Sequence, residues 1–273
     1  VHIPAEPKRI VFLNASNLEI FTSIGGKAVG RPTSNSYPDD VKESLQGIPE
    51  VGQIHAPNLE KIMSLKPDLV VGTNVPFHVM LRKPLEMAGV PLYLNMINSY
   101  EDVLKSVDEF GKLAGKEKEA AAKHAEIERD YAELTKDVQK GKGPKVLIIF
   151  GAPDSFNMST KMSFSGDLVE RLGGINIANK AENVKDSSFI PLSMEFVAKE
   201  NPDVVMLITM GGSKEILEKL RANMRDNVIW HDVNAVKNNR VYQLPPSLFT
   251  VNPGTHTIDA MKIMKEYMYG EGK

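Results

Sequence analysis

The stretch NLEKIMSLKPDLVV, residues 58–71, returns as SMEFVAKENPDVVM, residues 193–206. Glu195 follows Glu60 by 135 positions, and Pro202 follows Pro67 by the same 135 positions. In each copy a capping residue begins a short helix, a Pro-Asp pair ends it, and an apolar run predicts a buried strand. The chain therefore carries one helix–turn–strand unit twice, which predicts two equivalent lobes with a ligand cleft between them.

Composition places the chain among globular proteins and removes several classes of function. Its 273 residues are 42% hydrophobic and 25% charged, which is enough apolar material for two cored lobes. The formal net charge is −2 and no run of Lys and Arg is present, so nothing indicates nucleic-acid binding. The absence of cysteine removes thiol catalysis and Cys-ligated zinc or iron–sulfur clusters.

Strand and helix patterns alternate along the whole chain. An apolar strand pattern before Asn14 is followed by a helix pattern that stops at Gly25-Gly26, and the second lobe restarts with Pro144-Lys145 as the first does with Pro7-Lys8. Such alternation predicts an α/β protein with two Rossmann-like lobes. In each lobe we expect a central, mostly parallel sheet covered by helices.

The segment that joins the lobes is polar and helical. Residues 116–140 are rich in Ala, Glu and Lys and lack Gly and Pro, which predicts one helix roughly 35–38 Å long at 1.5 Å per residue. Its apolar positions are too sparse for a coiled coil, so we interpret it as a rigid bridge. We expect an N-terminal lobe at 1–98, a helical bridge at 99–142 and a C-terminal lobe at 143–273.

The doubled unit, the long helix and the glycine-rich segment GDLVERLGGINIA at 166–178 together resemble one family. They are similar to the substrate-binding proteins of ABC importers for iron complexes and cobalamin, over essentially the whole chain. The segment NRVYQL at 239–244 looks most like the haem-binding lipoproteins of Gram-positive bacteria. The resemblance implies two α/β lobes bridged by one rigid helix, with haem, a ferric siderophore or cobalamin as the ligand.

The resemblance gives Glu60 and Glu195 a role in docking. In this family a glutamate on each lobe pairs with arginines of the membrane permease, and two carboxylates at a fixed spacing provide a two-point electrostatic contact. The alternative is that each glutamate only favours the first turn of its own helix through the helix dipole. The sequence leaves both open.

His55 is the sharpest candidate for an iron ligand. It lies in GQIHAPN, residues 52–58, where the haem lipoproteins that the chain resembles carry an axial methionine. Neutral imidazole is a good ligand for haem iron. The alternative is an ordinary exposed loop histidine.

The second lobe differs from the haem lipoproteins at the position of their second iron ligand. Those lipoproteins carry a histidine after the second repeat strand, where this chain has Gly211. Met210, or His78 after the first repeat strand, would then be the second iron ligand, unless the haem is five-coordinate. Met210 is otherwise a core residue and His78 a surface residue at the start of a helix.

Further ligand contacts are expected at strand ends. Loops at the carboxyl ends of parallel strands face the crevice in such sheets, which nominates Asn14 and Ser16 for polar contacts. Phe249, together with Phe189 and Met158, would provide apolar walls for a macrocycle, although each is equally a candidate for the core.

The resemblance implies an extracytoplasmic, monomeric protein, periplasmic or lipid-anchored to the outer face of the cell membrane, that delivers haem to an ABC permease. A ferric-siderophore or cobalamin carrier is the alternative in the same class, and Arg31, Arg82 and Tyr37 are the first-lobe candidates for an anionic siderophore. A two-lobed enzyme or an interaction module is the alternative from another class. The dinucleotide, Walker, nucleophile-elbow and zincin motifs are all missing from the sequence, so we expect no catalytic residue.

Overall fold

The computed structural model describes residues 6–34, 37, 39–182, 184, 186–250 and 252–270. The chain divides into two compact units. The first unit consists of the residues up to Ile97, Glu101–Arg129 and Pro253–Thr255; the second consists of Asn98–Tyr100, Asp130–Asn252 and the residues from His256.

The first unit is an α/β layer structure built on a small parallel sheet. In chain order its elements are β1 (Ile10–Phe12), α1 (Ala15–Ser23), α2 (Asp39–Ser44), β2 (Gly52–Gln53), β3 (Ala56–Pro57), α3 (Leu59–Ser64), β4 (Leu69–Gly72), α4 (Pro76–Val79), α5 (Arg82–Met87), β5 (Leu92–Leu94), most of α6 (Tyr100–Ala114) and most of α7 (Glu117–Thr135). The sheet has the order β1-β4-β5, and both pairings are parallel. Every side chain of the central strand β4 is buried, as expected for a strand covered on both faces.

The second unit contains a larger mixed sheet. Its elements are β6 (Lys145–Ala152), β7 (Ser155–Ser159), α8 (Phe164–Arg171), β8 (Ile175–Asn176), β9 (Phe189–Pro191), α9 (Met194–Glu200), β10 (Val204–Thr209), α10 (Lys214–Asp226), α11 (Asn234–Lys237), β11 (Val241–Gln243), α12 (Pro246–Phe249) and α13 (Thr257–Tyr269). The order is β11-β10-β6-β7-β9, with β8 beside β6. The α/β class with mostly parallel sheets is confirmed, but β7 and β9 pair antiparallel.

Both copies of the repeated unit fold as the sequence predicts, with α3 and β4 in the first unit and α9 and β10 in the second. The Asn58 side chain accepts a hydrogen bond from the Lys61 amide at 2.9 Å. The Ser193 hydroxyl accepts one from the Phe196 amide at 3.3 Å. Each cap satisfies an amide that the first helical turn leaves without a partner.

The turns of the two copies also match. Lys66 and Asn201, both one residue before the proline, have left-handed φ angles of 48° and 47°. The Asp68 carboxylate accepts a hydrogen bond from the Lys8 amide at 2.7 Å, and the Asp203 carboxylate accepts one from the Lys145 amide at 2.9 Å. These aspartates fasten the start of the repeat strand to the first strand of the same unit.

The long helix α7 is shorter than the sequence predicts. It covers Glu117–Thr135 rather than 116–140, which is roughly 28 Å at 1.5 Å per residue. The boundary between the two units lies inside it, at Arg129 and Asp130. Beyond its end the Gln139 carbonyl packs so closely on Gly173 that a Cβ there would lie 2.8 Å away, so tertiary packing replaces the last predicted turns.

Candidate functional site

His55 is presented at the tip of a tight hairpin. Strands β2 and β3 pair antiparallel, with Gly52 opposite Pro57 and Gln53 opposite Ala56, which leaves Ile54 and His55 as the two-residue turn. Gly52 has a φ of 108°, and a Cβ there would lie 2.5 Å from the Ala56 carbonyl oxygen, so the close pairing requires glycine. The His55 side chain is exposed at this tip.

An aromatic ring stands beside the candidate ligand. The rings of His55 and Phe77 are in an edge-to-face arrangement with centroids 6.4 Å apart. Phe77 is 48% exposed; Val79 on the same helix is 37% exposed, and Met80, which follows the helix, is 74% exposed. Apolar side chains that are exposed next to one another are typical of a ligand-binding or interaction surface. The sequence patterns did not single out Phe77; its only signal was its place just after strand β4.

His78, predicted as a second iron ligand, is fully buried. Its Nδ1 accepts a hydrogen bond from the Thr73 amide at 3.0 Å, so the neutral ring carries its proton on Nε2. Burial lowers the pKa of His78, since a charged ring is poorly solvated there. In this conformation the ring is enclosed by the protein, so His78 is neither presented to a ligand nor left on the surface, the two positions that the sequence predicted.

Asn14 and Ser16 lie at the carboxyl end of β1, as predicted, but their side chains are buried. The Asn14 Oδ1 accepts a hydrogen bond from Asn17 Nδ2 at 2.9 Å, and the same nitrogen donates to the Gly72 carbonyl at 3.0 Å. Asn95 Nδ2 in turn donates to Asn17 Oδ1 at 3.0 Å. This buried network ties the ends of the three strands together, so the polar contacts predicted for a ligand are made within the protein.

In the second unit Met210 and Gly211 directly follow strand β10. Met210 is 47% exposed, so it is not the core residue that the alternative expected. Gly211 has a φ of 60°, and a Cβ at this position would have no heavy atom within 4 Å. Gly212 also has a positive φ, but there a Cβ would lie 2.8 Å from Pro246 Cβ.

The predicted apolar walls divide into core and surface. Phe249 and Met158 are 5% and 2% exposed, so both belong to the interior rather than to a ligand surface. Phe189 is 43% exposed, and its ring lies 5.0 Å from that of Phe150 on the same sheet. Of the three, only Phe189 offers an accessible aromatic face.

Glu60 and Glu195 occupy equivalent positions in the first turns of α3 and α9. Both side chains are exposed, and neither forms an ion pair with any residue that the structure describes. Each carboxylate therefore faces solvent with its charge uncompensated by a neighbour. This geometry suits a docking contact and also suits the helix-dipole alternative.

The described ranges contain no group of three or more His, Asp or Glu side chains arranged to hold a metal ion. No helix in those same ranges is long and apolar enough to cross a membrane.

The fold matches solved substrate-binding proteins over nearly its full length. An ABC transporter substrate-binding protein from Listeria monocytogenes EGD-e superposes with a TM-score of 0.83 at 28% identity, covering 97% of this chain and 99% of that one. Staphylococcus aureus IsdE complexed with heme superposes with a TM-score of 0.84 at 26% identity, covering 96% of this chain and 98% of IsdE.

The sequence shows the same relationship. The high-affinity heme uptake system protein IsdE of Staphylococcus aureus (strain MRSA252) is 30% identical over 253 residues, which cover 90% of this chain and 82% of IsdE. Proteins of this kind are transport binding proteins. Because the model of the periplasmic binding protein family matches residues 10–248, the chain belongs to that family.

Proposed function

We propose that the protein is an extracytoplasmic carrier that binds haem and delivers it to an ABC permease. The observation that carries the proposal is His55, an exposed imidazole at a hairpin tip with the exposed ring of Phe77 edge-on beside it. An accessible imidazole can ligate haem iron, and apolar and aromatic side chains suit the face of a macrocycle. The 30% identity with IsdE supports the same class of ligand.

His55 is the first iron ligand in this proposal. His78 is fully buried and is not retained as a second ligand, whereas the thioether of Met210 is accessible and is retained as a ligand-binding residue. With Gly211 in place of the histidine that the resemblance leads one to expect, the chain brings no second imidazole at that position.

A ferric-siderophore carrier is the second candidate, and the structure weakens it. Arg31, nominated for an anionic ligand, forms an ion pair with Glu50 at 2.8 Å and donates from Nε to the Ile48 carbonyl. Tyr37 is buried, and its hydroxyl donates to the Pro32 carbonyl at 2.9 Å. Arg82 remains exposed, but a single arginine provides only one positive charge for binding a multiply charged anionic complex.

The remaining parts of the proposal concern the membrane. Glu60 and Glu195 would make the two contacts with permease arginines, because both carboxylates are exposed and unpaired among the described residues. We further propose that the protein is a monomer, either periplasmic or held on the outer face of the cell membrane by a lipid anchor, and that it carries its ligand without chemical turnover.

A haemin titration followed by absorption tests the proposal. Binding should shift the Soret band, and His55→Ala should raise the Kd by at least about tenfold, equivalent to about 1.4 kcal/mol. His231→Ala, another exposed histidine, is the matched control and should leave the Kd unchanged. Without a Soret shift in the wild-type protein the haem assignment fails.

A thermal-shift series then separates the alternatives. Cobalamin and ferric siderophores are compared with haemin at equal concentrations, since a ligand present at 100 times its Kd adds about 2.7 kcal/mol to the free energy of unfolding. Stabilisation by a siderophore alone would favour the second candidate, and stabilisation by none would favour an enzyme or interaction module.

A further inference from the structure

Each of the two units contains the start of a helix that continues in the other unit. Pro253–Thr255 belongs to the first unit, whereas helix α13 begins at Thr257 in the second. Asn98–Tyr100 belongs to the second unit, whereas helix α6, of which Tyr100 is the first residue, continues in the first. The chain thus exchanges two short segments between its units.

In the first unit a buried carboxylate binds the segment that leads into α13. Glu19 on α1 is only 4% exposed, and its Oε2 accepts a hydrogen bond from the Thr255 amide at 2.8 Å. Its Oε1 accepts a second hydrogen bond from the Thr255 hydroxyl. Hydrogen bonds to a carboxylate are stronger than those between neutral groups, and a buried carboxylate requires them. Glu19 therefore fastens this segment to α1.

Gly254 allows the backbone to approach Glu19 closely. Its φ is 59°, in the left-handed region, and a Cβ at this position would overlap Glu19 Oε2. Thr255, the next residue, lies 236 positions after Glu19 in the sequence. The carboxylate and the glycine therefore form one fitted contact between the two ends of the chain.

In the second unit a carboxylate on α8 binds the start of α6. Asp167 Oδ2 accepts hydrogen bonds from the Tyr100 amide at 2.9 Å and from Arg171 Nε at 2.7 Å. The Arg171 guanidinium lies over the Tyr100 ring, with Cζ 5.1 Å from the centroid, and Tyr100 stacks on Tyr131 with centroids 4.3 Å apart. Tyr131 lies on the part of α7 that belongs to the second unit. The cluster therefore fixes α6 and α7 together where they join this unit.

The two contacts use the same chemistry at equivalent places. Helices α1 and α8 are each the first helix after the opening strands of their unit, and each carries the carboxylate. In both units the carboxylate accepts a hydrogen bond from an amide at or just before the start of a helix, where amides lack partners within the helix and negative charge is favoured.

We propose that Glu19 and Asp167 are a reciprocal pair of anchors that restrain the movement of the two units relative to each other. Each anchor acts inside one unit, on a segment that the backbone joins directly to the other unit. When a segment is released, the chain on either side of it becomes a longer and freer connection. The inference concerns the protein without ligand, so it does not depend on the proposed function.

Hydrogen exchange in the ligand-free protein tests whether each carboxylate holds its segment. Glu19→Gln should make the amides of residues 254–257 exchange at least about tenfold faster, equivalent to about 1.4 kcal/mol of local opening, and should leave residues 100–103 unchanged. Asp167→Asn should have the reverse effect. Exchange like that of the wild-type protein at both segments in both variants overturns the inference.

Three further variants make this result specific. Glu109→Gln and Glu200→Gln are the matched controls, because these carboxylates accept hydrogen bonds from Tyr93 and Lys180 elsewhere in the first and second units. Neither control should change the exchange of the two segments. Gly254→Ala should release residues 254–257 as Glu19→Gln does, because its Cβ displaces the carboxylate, and it leaves Glu19 itself in place.

Distances between spin labels test the restraint itself. The chain contains no cysteine, so labels can be attached at Glu86→Cys on α5 and Arg221→Cys on α10, two exposed positions in different units. Pulsed electron spin resonance of the ligand-free protein should give a broader distribution of label-to-label distances in Glu19→Gln and in Asp167→Asn, and the broadest in the double variant. An unchanged distribution in variants whose segments exchange faster overturns the inference, since the carboxylates would then stabilise only their own units.

Discussion

The ring of Phe77 meets the ring of His55 at an interplanar angle of 73°, with centroids 6.4 Å apart. The contact joins two segments that are far apart in the sequence, the β2–β3 turn and the first turn of α4. Edge-to-face pairs of this kind contribute about 0.5–1.5 kcal/mol beyond the area that they bury. In this protein the pair also places an aromatic wall beside the proposed iron ligand.

Phe77→Ala should therefore weaken haemin binding more than it weakens the fold. Because Phe77 is 48% exposed, its removal costs little core packing, and we expect Tm to change by only a few degrees. The Kd for haemin should rise about three- to tenfold, the equivalent of one aromatic contact. Met87→Ala, at an 82% exposed position on α5, is the matched control; equal Kd values for the two variants would count against an aromatic wall.

The doubled unit and its turns were predictable because their signals are local. A cap, a Pro-Asp pair and a run of Val and Leu each act within a few residues, and the paired positions Lys66 and Asn201 show that even the turn conformation repeats. The length of α7 was not predictable from such signals, because the contact of Gln139 with Gly173 that ends its pattern spans more than 30 positions.

The site was predictable in position and less so in orientation. Asn14 and His78 do follow parallel strands, as the rule for strand ends expects, but which way a side chain points depends on partners far along the chain. Asn14 turns inward because Asn17 donates to it, and His78 because its Nδ1 accepts the hydrogen bond of the Thr73 amide. Phe77, the residue before His78, is by contrast 48% exposed, with its ring beside that of His55.

The two glycines after β10 should differ in their tolerance of a side chain. Gly211→Ala meets only the cost of a left-handed φ for a residue with a Cβ, about 1–2 kcal/mol in the free energy of unfolding. Gly212→Ala bears the same cost and also places its Cβ 2.8 Å from Pro246 Cβ, so it should be clearly more destabilising. Urea unfolding of the two variants measures the difference. Equal decreases in the free energy of unfolding would mean that the structure around Pro246 relaxes to remove the close contact.

The burial of His78 should make stability depend on pH. Burial lowers its pKa in the folded protein, whereas the unfolded chain titrates near the ordinary value of 6.5. Below about pH 6.5 the unfolded state therefore binds more protons, and this group should reduce the free energy of unfolding by up to about 1.4 kcal/mol per pH unit. Above that pH its contribution is constant.

Urea unfolding at several pH values between 5 and 8 measures this slope. His78→Asn cannot take up the proton, so its stability should fall less steeply on acidification than that of the wild-type protein, whatever its stability at neutral pH. Parallel curves for the two proteins would mean that the ring is protonated as easily in the folded state as in the unfolded chain.

Glu60→Gln and Glu195→Gln should slow delivery without affecting capture. The carboxylates are exposed and form no ion pairs with described residues, so replacement by the isosteric amide should leave the fold and the haemin Kd unchanged. If they meet permease arginines, each variant should associate with the permease several times more slowly at low ionic strength, and the difference should shrink as salt screens the charges. Glu86→Gln, at an exposed position on α5, is the control for a general change in charge. If both variants associate with the permease as fast as Glu86→Gln at every salt concentration, the docking role is wrong. Only the helix-dipole role then remains, because that role acts within each helix and needs no partner.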